Sequence, residues 1–147
     1  MSASPFARLA LKPEASAASR GRRWVVQRVR ELGLADLEDT VALLTSEVVT
    51  NAVLHAATPA EVSVRTDGAG VRVKVVDGST TPPLRRLGYS RTSTTGRGCL
   101  LLDRLATRWG WAPLSDGKVT WFVVELEPDR PDQVEPTAEE LMAAWDE

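Results

Sequence analysis

Residues 60–76 read AEVSVRTDGAGVRVKVV, and this stretch decides the fold. Val62 and Val64 alternate with polar neighbours, and Val71, Val73 and Val75 do so again after Gly70. Period-two alternation places each set of valines on one face of a strand. Between them, Asp67-Gly68 followed by Ala69-Gly70 is a hairpin signal. Strands over 60–66 and 71–76 therefore pair antiparallel, without a βαβ crossover.

Upstream, the spacing changes to that of helices. Trp24, Val25, Val29 and Leu32 recur at helical intervals within 15–32, and Gly33 suits the end of that helix. Asp36 is the expected N-cap of a second helix running to about Ala56. Leu37, Val41, Leu44, Val48 and Ala52 form its apolar face. Residues 1–13 read as irregular. Downstream, 78–96 is rich in Ser, Thr, Pro and Gly and reads as a long loop, a length that in compact domains usually serves function. A helix over 98–108 follows, with Leu101, Leu102 and Leu105 as its apolar face. Then come a strand over 109–114, a turn at Asp116-Gly117, and a strong strand over 118–126. Beyond 127 the chain is acidic and proline-dotted, and Thr137-Ala-Glu-Glu140 is a capping box for a short helix ending near Trp145.

Helix, helix, hairpin, loop, helix, hairpin is the order of an α+β two-layer sandwich, with helices on one face of a mainly antiparallel sheet. It excludes a Rossmann fold, and no G-x-x-x-x-G-K-[ST] motif marks a P-loop. The organisation is an irregular segment (1–13), one domain (14–127) and an acidic tail with a short helix (128–147). At 147 residues the chain is long enough to bury a core without staples. Its single cysteine, Cys99, excludes an intramolecular disulfide and reads as a small packed residue. There is no signal-peptide run and no bilayer-length apolar run, so a cytoplasmic setting without membrane contact is expected. Residues 1–35 hold seven Lys/Arg against two Asp/Glu, while 125–147 hold nine Asp/Glu against one Arg. The basic end is too short and mixed to indicate direct nucleic-acid binding.

Three features carry chemistry. Glu47, Asn51 and His55 follow at i, i+4, i+8 and form one stripe beside the apolar face of the second helix. Asn offers a neutral oxygen to a hard cation such as Mg²⁺, and a Glu one turn away can take a proton. On spacing alone, a solvated helix edge remains the simpler reading. Asp77 ends an apolar strand, where a buried carboxylate accepts a hydrogen bond from an exocyclic amine; a turn aspartate bonding its own backbone is the alternative. Gly96 and Gly98 precede a helix, where glycine admits a close ligand and free N–H groups favour phosphate, with Arg97 adding charge; an ordinary N-terminal turn is the alternative. His55 is the only histidine, which excludes a His-based triad.

Together and in order, these features resemble the GHKL ATPase superfamily, and within it the small anti-sigma regulatory factors and serine-protein kinases of actinomycete type. TSEVVTNAVLH (45–55) is similar to the family's first nucleotide motif, VVDGSTTPP (75–83) to the second, and TGRGCLLLD (95–103) with RWGW (108–111) to the third. GKVTWF (117–122) is similar to the closing strand. Ser79 stands where the second motif usually has glycine, Cys99 where leucine is usual, and Val119 where a threonine commonly follows Lys118, with Thr120 next.

The resemblance implies ATP and Mg²⁺ as cofactors. Asn51 would be the metal ligand, Glu47 the general base, and Asp77 the reader of the adenine amine. Residues 79–95 would be the ATP lid, with Gly96, Arg97 and Gly98 around the phosphates. His55, Ser79 and Thr120 are the further nucleotide contacts it implies. The implied activity is a serine/threonine-protein kinase acting on a STAS-domain anti-anti-sigma partner, with a sigma factor held by a homodimer. A nucleotide-sensing binding module without useful kinase activity is the alternative.

Overall fold

The computed structural model describes residues 6–80 and 101–126. Five strands form one open, wholly antiparallel sheet: β1 (Phe6–Leu11), β2 (Ala60–Asp67), β3 (Gly70–Asp77), β4 (Arg108–Leu114) and β5 (Gly117–Glu125), in the order β1-β2-β3-β5-β4. Two α-helices, α1 (Ala17–Glu31) and α2 (Glu38–Thr50), pack together on one face of it. Residues 101–105 are helical and close on the same side, with Leu102 in that core. The fold is α+β, as the sequence leads one to expect. No helix among the described residues is long and apolar enough to cross a membrane.

Alternation in the strands builds the core. Val62 and Val64 of β2, Val71, Val73 and Val75 of β3, and Phe122 and Val124 of β5 all face the helices and are buried. They meet Val25 and Val29 of α1 and Val41, Leu44, Val48 and Val49 of α2. The helix ends show how local chemistry sets the layer. Gly33 has φ +79°, which a side chain rarely adopts. It lets Leu34 N–H donate to Val29 O and Gly33 N–H to Arg30 O, each at 3.0 Å, a Schellman closure of α1.

Four expectations need correction. Residues 6–11 are the edge strand β1, not irregular; Leu9 and Leu11 face the core opposite Val62 and Ala60, a pattern only two apolar side chains long. Asp36 does not cap the second helix. It lies in a 3-10 turn, Ala35–Leu37, and α2 starts at Glu38 without a side-chain cap. Glu38 and Asp39 instead place negative charge at the helix's positive end. The second helix also changes form at Asn51, where a π turn, Asn51–His55, begins. The helix expected over 98–108 is helical only to 105 in its described part, because β4 begins at Arg108.

The other face of the sheet is also closed. Val119, Trp121 and Val123 point away from the helices, yet they are 0%, 2% and 0% exposed. The expected tail helix over 137–145 lies outside the described residues.

Leu43 and Leu44 give a direct check on the helix register. Leu44 is fully buried and Leu43 is 41% exposed. Leu44→Ala is expected to cost about 3 kcal/mol through lost contacts and a residual cavity. Leu43→Ala should stay within about 0.5 kcal/mol. Urea midpoints of the two variants measure the difference; equal losses would refute the register.

Candidate functional site

The site is built where the end of α2 meets the end of β3. Asn51 N–H still donates to the carbonyl of Glu47, so these two residues sit one α-helical turn apart, both half-buried. At Asn51 the backbone switches to i→i+5 closure, with Ala56 N–H donating to Asn51 O at 3.1 Å. The turn is wider there, and the one-turn spacing of the stripe is described for Glu47 and Asn51. The side chain of His55 lies outside the described ones.

Ala57 follows with φ +56°, the left-handed region. For a non-glycine residue this costs of the order of 1–3 kcal/mol. Such outliers and single π turns gather at functional sites. The chain then locks onto the sheet. Thr58 N–H donates to Ala52 O at 3.2 Å, and Gly78 N–H donates to Thr58 Oγ1 at 3.1 Å. Thr58 thus ties the turn that starts at Asn51 to the residue after Asp77.

Asp77 and Lys118 face each other across β3 and β5, both on the helix side. Lys118 Nζ lies 3.1 Å from Asp77 Oδ1 and 3.0 Å from Oδ2. The side chains are 3% and 7% exposed, so this is a buried ion pair. Ser79 N–H adds a third bond to Oδ1 at 2.8 Å. The turn-forming role of Asp77 is therefore present, as an Asx turn. A carboxylate offers about four lone-pair sites, so one on Oδ2 stays open to a further donor. Gly117 makes the approach of the strands feasible: a Cβ there would overlap the Asp77 carbonyl oxygen. Thr120, opposite Val75, continues the same face of β5 and is buried.

The structure thus gathers Asp77, Ser79 and Thr120 on one side of the sheet and connects them through Thr58 to the Asn51 turn. Gly96, Arg97 and Gly98, with Cys99 and most of the expected loop, lie outside the described residues. Sequence reasoning missed Thr58 and the pairing of Lys118. The second carried a signal: Lys118 follows the turn at Asp116-Gly117, and the strand it starts returns alongside the one that ends at Asp77.

A cavity of about 510 Å³ opens at the same end of the sheet, walled by Leu11, Pro59, Ala60, Val76, Asp77 and Gly78 among others. Its volume is in the range of small-molecule pockets. Among the described residues no cluster of three or more His, Cys, Asp and Glu could hold a metal ion unaided. Glu47 and Asn51 are oxygen donors of the kind Mg²⁺ takes in ones or twos, with water and phosphate completing its shell. No protein-family model matches the chain, and no curated protein matches it.

The ion pair yields a double-mutant test. Lys118→Met strands a buried carboxylate and should cost about 3–5 kcal/mol. Replacing both partners, Asp77→Leu with Lys118→Met, should recover most of that loss, because no charge is left buried. Thermal unfolding of the two variants measures it. A single variant as stable as the parent would show that the pair is not closed to solvent.

Proposed function

We propose that this chain is an ATP–Mg²⁺-binding regulatory protein with a GHKL-type fold, of the anti-sigma serine-kinase kind, that phosphorylates a serine on a STAS-domain partner. The observation that carries the reading is the linkage of two half-sites. Glu47 and Asn51 share one turn of α2, and hydrogen bonds through Ala52, Thr58 and Gly78 lead from that turn to Asp77. The chain order thus sets a proton acceptor and a neutral oxygen donor at the end of α2, tied by hydrogen bonds to the strand end that carries a buried carboxylate. The first two quoted motifs, 45–55 and 75–83, supply these residues.

Each residue's chemistry suits its role. Asn51 lends a neutral oxygen to the metal. Asn51 would help to hold Mg²⁺ brought in with ATP, and the ion would supply positive charge against that developing on the transferring phosphoryl group. Glu47 accepts the proton of the incoming serine hydroxyl. Asp77 takes the adenine amine on its remaining Oδ2 lone pair, while Lys118 and the Ser79 N–H hold the carboxylate in place. Thr120, on the same face as Asp77, completes the base wall. His55 and the glycines at Gly96 and Gly98 with Arg97 take the phosphate side in this reading. A STAS-domain protein is the substrate partner, and a homodimer holds the sigma factor.

ATP with Mg²⁺ at about 100 times its Kd should stabilise the chain by roughly 2.7 kcal/mol. Thermal shift reads this directly, and Asn51→Ala should abolish the metal-dependent part. Labelled phosphate should then move from ATP to a STAS-domain protein, and Glu47→Gln should stop the transfer while leaving ATP binding intact. Absence of any thermal shift overturns the proposal. Binding without transfer supports the nucleotide-sensing alternative.

A further inference from the structure

We propose that Thr58 is a positioning residue that couples the two halves of the site, so that a metal ion held at Asn51 and a base amine held at Asp77 each strengthen the binding of the other. The coupling rests on the nucleotide reading and adds to it the residue that carries it.

A single hydroxyl stands between the two halves. Thr58 Oγ1 donates to the Ala52 carbonyl at 3.4 Å and accepts from Gly78 N–H at 3.1 Å. A hydroxyl has one proton and two lone pairs, so it serves both partners at once. The direction is fixed, because a backbone N–H only donates and a carbonyl only accepts. Thr58 N–H donates to the same carbonyl at 3.2 Å, so the backbone and side chain of one residue hold one oxygen. Threonine is also stiff about χ1, so a movement at one partner is passed on and not absorbed by a change of rotamer.

Each end of this relay is tied to a side chain with a proposed ligand. Asn51 and Ala52 open the π turn. Asn51 N–H is held by the carbonyl of Glu47, and its own carbonyl accepts from Ala56 N–H at 3.1 Å. The carbonyls of both residues are thus fixed from within 56–58, a segment whose middle residue, Ala57, has φ +56°. A shift of Thr58 therefore moves the turn that bears the Asn51 side chain. On the strand end, Gly78 lies between Asp77 and Ser79, and Ser79 N–H holds Asp77 Oδ1 at 2.8 Å. β5 backs Gly78 directly: a Cβ on Gly117 would come within 2.9 Å of the Gly78 Cα, closer than real side chains approach. Gly78 is held between the backbone of β5 and the Thr58 hydroxyl, so a shift of Thr58 reaches the Asx turn that sets the Asp77 carboxylate. Coupling between two ligands needs such a connected set of contacts, whose arrangement both of them bias.

Purine riboside 5′-triphosphate differs from ATP only in lacking the exocyclic amine, so it probes the coupling without a change to the protein. In the parent chain, Mg²⁺ should raise the affinity for ATP about tenfold more than it raises the affinity for the analogue. Thr58→Val keeps the shape and removes the hydroxyl, and should bring the two enhancements within about twofold of each other. Thr58→Ser keeps the hydroxyl and should retain the difference. Isothermal titration reads all of these. Equal enhancements in a parent that binds ATP overturn the coupling and leave nucleotide binding standing. A difference that persists in Thr58→Val overturns the assignment to Thr58. A parent that binds no ATP overturns the nucleotide reading, and the coupling with it. One check needs no variant to fold. In the parent saturated with ATP, adding Mg²⁺ should shift the Gly78 amide resonance, while that of Gly68, at the opposite end of β3, stays in place. A Gly78 resonance that does not move overturns the proposal.

Discussion

The Asp77–Lys118 pair is the constraint on which the site depends. It joins the last residue of β3 to the first side chain of β5, and so brings strands 40 residues apart in sequence into register at one end of the sheet. A buried ammonium and carboxylate are tolerated only when each satisfies the other. Two features make that geometry attainable: Gly117, which lets the backbones close, and the Ser79 N–H, which holds one carboxylate oxygen. Once the pair forms, Thr120 and Asp77 must share the helix-facing side, and Thr58 can reach Gly78 to attach the helix end. The strained Ala57 lies in this junction, held from both sides.

Much of this was legible in the sequence because the signals are local. Valine alternation in 60–76 and the helical recurrence of Leu37, Val41, Leu44, Val48 and Ala52 report directly which face is buried, and all of those residues are in the core. What was not legible depends on tertiary context. The edge strand β1 has too few apolar side chains to announce itself and is held by pairing with β2. The π turn at Asn51 has no composition of its own. A partner for Asp77 could be inferred only by knowing that β5 lies beside β3, a non-consecutive pairing. The described helices lie on one face of the antiparallel sheet, compatible with the expected two-layer sandwich.

The two faces of the sheet differ in character. The helix side holds the polar groups proposed to meet nucleotide, gathered at one edge of an apolar core. The opposite side is basic and aromatic, with Arg72 stacked over the Trp121 ring and Lys74 buried opposite Trp121 in the register.

The most direct test of the central claim is a two-dimensional amide NMR titration of the full chain with ATP and Mg²⁺. The account predicts that the largest shifts fall on Asn51, Thr58, Gly78, Ser79 and Thr120, at the junction of α2, β3 and β5, and that Mg²⁺ is needed for the Asn51 response. Shifts confined to residues elsewhere, or no shift at millimolar nucleotide, would contradict it.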